Sequence, residues 1–372
     1  MRLPQYLLDA IQEEAQKFER RRLIQAAERL TERYKAADFS SPVIANDADR
    51  AAYLVVRFPA TYAAIQRVFS EIPLRAPRAE IKTLLDLGAG PGTALLAAAE
   101  AFTGLERATL IESDEHWIAL GKRLVKSSAA AAEQQVDWVR HDLRSGFSCV
   151  EHDLVVISYA LGELAPAAAD AVIRKAWSCA RGFLVITEPG TPRGFATIDA
   201  ARSTLIAAGA GLVAPCPHQQ QCPMAAVDAS TPERARAARS GDPGASTPER
   251  ARAARSGDPG ASTPERAKAA RSGDPGDWCH FAQRLERTAE HRQLKGGALG
   301  YEDEKFSYVI ASRQSMPAQG ARIVRHPGKH SGHIQLELCT PAGRIEKATI
   351  TRSNKEAFRA ARKAEWGDVW GE

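Results

Sequence analysis

Between residues 76 and 205 the chain alternates short apolar runs with stretches of helical spacing, and no other feature constrains its fold as much. The runs are Thr83–Leu87, Ala108–Glu112, Val136–Arg140, Leu154–Ser158 and Phe183–Thr187. Strands that recur in this way with helices between them predict a parallel sheet with crossover connections, an α/β Rossmann-like core. The first run leads through Asp86-Leu87-Gly88-Ala89-Gly90-Pro91-Gly92 into an Ala-rich helical stretch. Glycines there let the backbone turn tightly and approach a ligand where a Cβ would clash. The second run ends at Glu112, 20 residues beyond Gly92, where a carboxylate suits a ribose diol. The third run is followed by Asp142, placed to accept from an adenine amino group. Three strand ends thus agree on a nucleotide-like ligand. The candidate binding residues are Asp86, Gly88, Ala89, Gly90, Gly92, Glu112 and Asp142.

Two cofactors suit this layout. The glycines run G-x-G-x-G, whereas dinucleotide enzymes carry G-x-G-x-x-G. With Asp86 two residues ahead, the loop resembles the S-adenosylmethionine loop of class I methyltransferases more than an NAD loop. A catalytic group is harder to assign. After the fourth run comes Ser158-Tyr159-Ala160-Leu161-Gly162-Glu163-Leu164. It lacks the (N/D)-P-P-(Y/F) motif often found in enzymes that methylate exocyclic amines of bases. Methyl transfer can run mainly on proximity and alignment, so a missing base is not fatal. Glu163 can accept a proton or orient a substrate; it equally suits a solvated charge at a helix start. No catalytic residue is assigned.

Residues 1–75 place Leu7, Leu8, Ile11, Ala15 and Phe18, then Leu23, Ala26, Ala27 and Leu30, at helical spacing. They predict an N-terminal helical domain ahead of the core at 76–210. Residues 211–280 read as a Cys-bearing loop containing a 16-residue unit three times, at Ala229–Gly244, Ala245–Gly260 and Ala261–Gly276. Each unit predicts a short helix, with Thr231 as N-cap, Pro232 at the first position and Gly241 past the end. Its only apolar residue is Ala, and it is too short to be stable alone, so the repeats read as a flexible surface insertion. Residues 281–372 supply the last core strands, with runs at Phe306–Ser312 and His333–Cys339, and a basic C-terminal segment.

The six cysteines divide unevenly. Cys149 and Cys179 lie on or beside apolar runs and read as small buried thiols. The other four stand in distinctive surroundings: Cys216-Pro-His-Gln-Gln-Gln-Cys222-Pro, Trp278-Cys279-His280-Phe281 and Leu338-Cys339-Thr340-Pro341. Four thiolates can ligate zinc or hold a [4Fe–4S] cluster, and His218 or His280 can replace one Cys in a zinc site.

Composition narrows the class. The chain has 372 residues, 44% of them hydrophobic, and a net charge of +5. That excludes a collagen-like, coiled-coil or wholly disordered chain. No apolar run reaches the roughly 18 residues a membrane span needs. Met1–Arg22 has no apolar h-region and carries Glu residues, so neither a signal nor a transit peptide is expected, and the expected location is cytoplasmic. Residues 321–363 hold 10 basic and 3 acidic residues. Arg322, Arg325, Lys329, Arg344, Lys347, Arg352, Lys355, Arg359, Arg362 and Lys363 are candidate phosphate contacts, compatible with an RNA partner, with a solvated face as the alternative.

Taken together, these residues resemble the methyltransferase-like family of mitochondrial small-ribosomal-subunit proteins and assembly factors, with bacterial relatives. The matching stretches include Tyr53-Leu-Val-Val-Arg57-Phe-Pro59-Ala-Thr61-Tyr62, Asp86–Ala94, Glu188-Pro-Gly-Thr-Pro-Arg-Gly-Phe195 and Ala361-Arg-Lys-Ala-Glu-Trp-Gly367-Asp368. The cysteine loop and Trp278-Cys279-His280-Phe281 are the most specific of all. The resemblance implies a class I S-adenosylmethionine-dependent methyltransferase core with a Cys-rich metal-cluster insertion. It implies a [4Fe–4S] cluster on Cys216, Cys222, Cys279 and Cys339, and action on the small ribosomal subunit and its ribosomal RNA. Neither a membrane nor DNA is an expected partner. Some members of the family work as assembly factors or ribosome components, so methyl transfer and a non-catalytic assembly role are both expectations.

Overall fold

The computed structural model describes residues 1–36, 44–225, 277–317 and 319–371. The three repeats, with their expected short helices, lie outside the described residues.

The expected Rossmann-like core is present. Strands β1 (Thr83–Leu87), β2 (Arg107–Glu112), β3 (Gln135–Arg140), β4 (His152–Ser158) and β5 (Ala180–Pro189) run parallel. β6 (Gly211–Ala214) and β7 (Phe281–Glu286) both pair antiparallel with β8 (Tyr301–Ser312). The order is β3-β2-β1-β4-β5-β8-β6, with β8 antiparallel to β5. The order reverses between β1 and β4, and such switch points open a crevice at the carboxyl ends of the strands.

The apolar runs are continuous because both faces of the sheet are covered. Leu84, Leu110, Leu154, Val156 and Val185 point into one core. Their neighbours Leu85, Ile111, Val155, Ile157, Leu184 and Ile186 point into the other, as the two-residue period of a strand requires. Helices α9 (Pro166–Cys179) and α10 (Pro192–Ala207) cover the second face. The first face takes α6 (Thr93–Ala101), α7 (Glu115–Ser127) and the short α8 (Ala129–Ala132).

The N-terminal residues form α1 (Gln5–Gln16), α2 (Arg20–Ala36), α3 (Asp47–Val56), α4 (Phe58–Phe69) and α5 (Glu71–Arg75). Leu7, Leu23, Leu54, Phe58 and Phe69 are buried in the same core as Leu84 and Leu110. These helices therefore share the core of the sheet. Asn46 starts α3 by accepting from the Ala48 and Asp49 amides. Arg50 on α3 pairs with Asp114, the N-cap of α7, and so ties this layer to the crevice.

After β7, α11 (Ala289–Lys295) leads to β8. The remainder builds a second, antiparallel sheet from β9 (Ala321–Ile323), β10 (Gly328–Lys329), β11 (His333–Cys339), β12 (Ile345–Thr351) and β13 (Val369–Trp370), packed by α12 (Lys355–Lys363). Ile323, Ile334, Leu336, Leu338 and Ala361 form its small core. The expected His333–Cys339 strand thus belongs to this sheet, outside the main one.

Candidate functional site

The glycine loop lies at the switch point. Gly88, Gly90 and Gly92 have φ of 72°, 54° and 81°, a region L-residues with a Cβ avoid. A Cβ at Gly88 would sit 2.8 Å from Ala160 Cβ, so the loop presses against the chain leaving β4. A Cβ at Gly90 would meet nothing within 4 Å. It would project into the open space beside the loop, where a ligand would approach.

Beneath the loop Asp86 is fully buried, and neither carboxylate oxygen has a hydrogen-bond partner. Burial, with the nearby Glu112 charge, pushes its carboxyl up to about 8. Glu112 holds the loop: Oε2 accepts from the Gly90 amide at 2.8 Å and Oε1 from the Asp114 amide at 2.9 Å. Asp142 stands apart. Its oxygens accept from Arg144 Nε and Nη2 and from the Arg144 amide, and these contacts lower its pKa. Ala89 is buried. Glu163 is exposed in a short 3₁₀ turn, Leu161–Glu163. That turn hangs from Glu188, buried at the end of β5, whose Oε1 accepts from the Leu161 amide at 2.9 Å. Glu188, Tyr159, Arg57 and Glu304 are polar groups at this edge that the sequence reading missed. The one cue was Tyr159, sitting where β4 must end.

An S-adenosylmethionine-like group fits these residues on three counts. A buried carboxylate lacks a partner, a glycine cradle faces open space, and an acidic strand end adjoins both.

The four separated cysteines come together. Cys216 and Cys222 follow β6, Cys279 precedes β7, and Cys339 ends β11; all four line one small cavity with Pro215, Phe281 and Arg322. Two buried arginines hold the Cys216 loop: Arg202 donates to the carbonyls of His218 (2.9 Å) and Gln220 (2.6 Å), and Arg322 to that of Pro215 (2.9 Å). His218 Nε2 lies 3.4 Å from Cys339 Sγ. Burial and their neighbouring sulfurs push Cys222 up to about 11 and Cys339 up to about 12. Four cysteine sulfurs around one cavity are the donor set that a [4Fe–4S] cluster takes. Among the described residues, no three Cys, His, Asp or Glu side chains converge closely enough to hold a metal ion as they stand.

Two expectations are corrected. Cys149 and Cys179 are joined in a disulfide, with Cα atoms 6.1 Å apart. The loop before β4 and the end of α9 meet beside paired β4 and β5, within bridging range. Second, Arg322 and Arg325 are not free phosphate contacts. Arg322 is 2% exposed, and donates to Glu71 at 3.1 and 3.2 Å and to the Gly367 carbonyl at 2.6 Å. Although burial opposes it, Arg322 with Arg67 and Arg75 holds Glu71 down to about 2. Arg325 pairs with Asp277 and donates to the Trp278 carbonyl. Arg344 is exposed but paired with Glu346 at 3.0 Å. Lys329, Lys347, Arg352, Lys355, Arg359, Arg362 and Lys363 remain exposed. No helix among the described residues is long and apolar enough to cross a membrane.

Comparison with known proteins bears on this geometry. The chain is 26% identical over 336 residues to the mitochondrial ribosome assembly protein METTL17 of Homo sapiens, covering 85% of this chain and 61% of that protein. It is 25% identical over 340 residues to Rsm22-cox11 tandem protein 2, mitochondrial, of Schizosaccharomyces pombe, covering 86% of this chain and 42% of that protein. The chain therefore spans about half the length of these relatives. Among solved structures, magnesium protoporphyrin IX methyltransferase of Synechocystis overlaps 49% of this chain and 85% of its own, with 14% identity and a TM-score of 0.36. A superposition that loose carries no argument. The family described as mitochondrial small ribosomal subunit Rsm22 matches residues 47–244 and 257–371. With the glycine loop and all four cavity-lining cysteines inside those limits, the chain belongs to the Rsm22 family.

Proposed function

We propose that this protein binds S-adenosylmethionine at the glycine loop and a [4Fe–4S] cluster at the four cysteines, and methylates RNA of the small ribosomal subunit. The observation that carries the reading is Asp86, a buried carboxylate without a partner directly beneath a loop that opens to a ligand. Gly88, Ala89, Gly90 and Gly92 would border the methionine end, with Asp86 facing its ammonium group and Glu112 the ribose. Asp142 would reach an adenine only by giving up part of its Arg144 contact. Cys216, Cys222, Cys279 and Cys339 would hold the cluster, with Arg202 and Arg322 keeping their loop in place. S-adenosylmethionine supplies an electrophilic methyl group. The protein's own part is to align an acceptor with it and exclude water. Family membership and the names of the relatives support the ribosomal setting, and the exposed cations of the second sheet suit phosphates.

The segment Ser158–Leu164 favours a second reading, because it offers no amine-methylation motif. In that reading the fold is a non-catalytic platform for small-subunit assembly, stabilised by its cofactors. Mapping ribosomal RNA modifications in deletion and parent strains separates the two. Loss of one methyl mark is expected. An unchanged map with defective small subunits would leave assembly as the function. Iron and sulfide analysis of anaerobically purified protein tests the cluster, and protein free of both would exclude it.

A further inference from the structure

A second group of side chains at the crevice has no role in either cofactor site. Tyr159 is the one described non-glycine residue with positive φ, at 57°. A bulky L-residue is strained there and persists only where its surroundings over-determine it, often at ligand sites. Tyr159 directly follows the last residue of β4, and its amide donates to the Thr187 carbonyl at 2.8 Å. The next residue, Ala160, is the one that abuts Gly88. The backbone twist thus sits one residue from the contact with the cofactor loop, while the tyrosine hydroxyl turns toward Glu304.

Helix α3, the junction between α3 and α4, and β8 supply the rest. Tyr159 Oη lies 3.4 Å from Glu304 Oε1, and Arg57 pairs with the same oxygen at 3.5 Å. Tyr53, one helical turn before Arg57, meets Trp117 edge-on with ring centroids 5.2 Å apart. Tyr53, Arg57, Tyr159 and Glu304 are all half-buried. Both contacts to Glu304 are long, so its carboxylate keeps capacity for a further donor, and a carboxylate only accepts. An aromatic face next to a hydrogen-bond acceptor suits a flat, amino-bearing ring.

We infer that Tyr159 and Glu304 form the acceptor side of the site, where the Tyr159 ring stacks on an unpaired nucleobase and Glu304 accepts from its exocyclic amino group. Arg57 is a positioning residue that holds Glu304, and Tyr53 stands one helical turn before that arginine. The assignment rests on the RNA reading above and names its substrate class: a base, and an amino-bearing one.

The test uses the full chain saturated with S-adenosylhomocysteine and titrated by fluorescence anisotropy with single-stranded oligo(A), oligo(C) and oligo(U) of equal length. Phosphate contacts are common to the three, so the ratio of affinities isolates the pocket. Oligo(A) and oligo(C) should bind about tenfold tighter than oligo(U), the scale of one hydrogen bond to a charged acceptor. Glu304→Gln, whose amide both donates and accepts, should bring the ratio close to one. Tyr159→Ala should weaken all three by about tenfold through lost stacking, and Tyr159→Phe should restore that loss. If Tyr159→Ala does not fold, Tyr159→Asn replaces it, since Asn tolerates positive φ. Equal binding of the three oligomers by wild type, or a ratio unmoved by Glu304→Gln, overturns this inference and leaves the proposed function standing. A wild-type protein that binds neither S-adenosylhomocysteine nor any oligomer overturns both.

Discussion

A carboxyl group buried without a partner stays neutral until something cationic arrives, and Asp86 is such a group. Its pKa is raised from the usual 3.8 to about 8. Because the folded value lies above the unfolded one, ionisation opposes folding: the ligand-free protein should lose stability as pH rises through this window. A bound ammonium group reverses the preference, since it attracts the ionised form. The affinity for S-adenosylhomocysteine measured by calorimetry should therefore rise between about pH 6 and 8, and Asp86→Asn should flatten the profile. A wild-type affinity that ignores pH across that window would remove Asp86 from the ligand's surroundings. The same scale explains the misreading of Arg322. A basic residue in a basic stretch looks solvated, and its partner Glu71 lies 251 positions away. No local pattern announces an ion pair over such a distance.

At the scale of elements, the disulfide joins the end of α9 to the loop that leaves Asp142 for β4. Titration of denatured, unreduced protein should find four free thiols, against six after reduction. Reduction should cost about 3.6 kcal/mol in the chain-entropy account of a closed loop, given a sequence separation of 30. Six free thiols from protein purified in air would restore the expectation of two separate buried ones. What was legible at this scale was whatever local chemistry demands. β1 was visible because a strand covered on both faces is largely apolar, here Leu84, Leu85 and Leu87, and the glycine loop because only glycine adopts its dihedrals cheaply. β6 was missed because four residues, Gly211–Ala214, are too few to show a period. β12 was missed because Glu346 and Lys347, adjacent and both exposed, break its alternation and read as charge rather than strand. The cysteines were recognisable by their flanking residues. Their meeting at one cavity depends on β6, β7 and β11, which belong to two different sheets.

Across the whole molecule, the second sheet turns a row of cations outward. On α12, Ala361 is buried while Lys355, Arg359, Arg362 and Lys363 are exposed. Lys355, Arg359 and Lys363 follow one another at four-residue spacing, where like charges on an isolated helix repel by roughly 0.2–0.5 kcal/mol per pair. Asn354 offsets part of that by capping the Ala357 amide at 3.0 Å. A ridge built against its own repulsion makes sense if an anionic partner neutralises it. RNA phosphates do so by releasing counterions, with a slope of log affinity against log salt near −0.7 per contact on single strands. Replacing all four cations by Gln should make that slope shallower by about 3. The preference for oligo(A) and oligo(C) over oligo(U) should survive, because phosphate contacts set affinity while base contacts set specificity. An unchanged slope would place RNA elsewhere on the protein. A shallower slope together with a lost preference would mean that the helix, rather than the crevice beside Tyr159, reads the base.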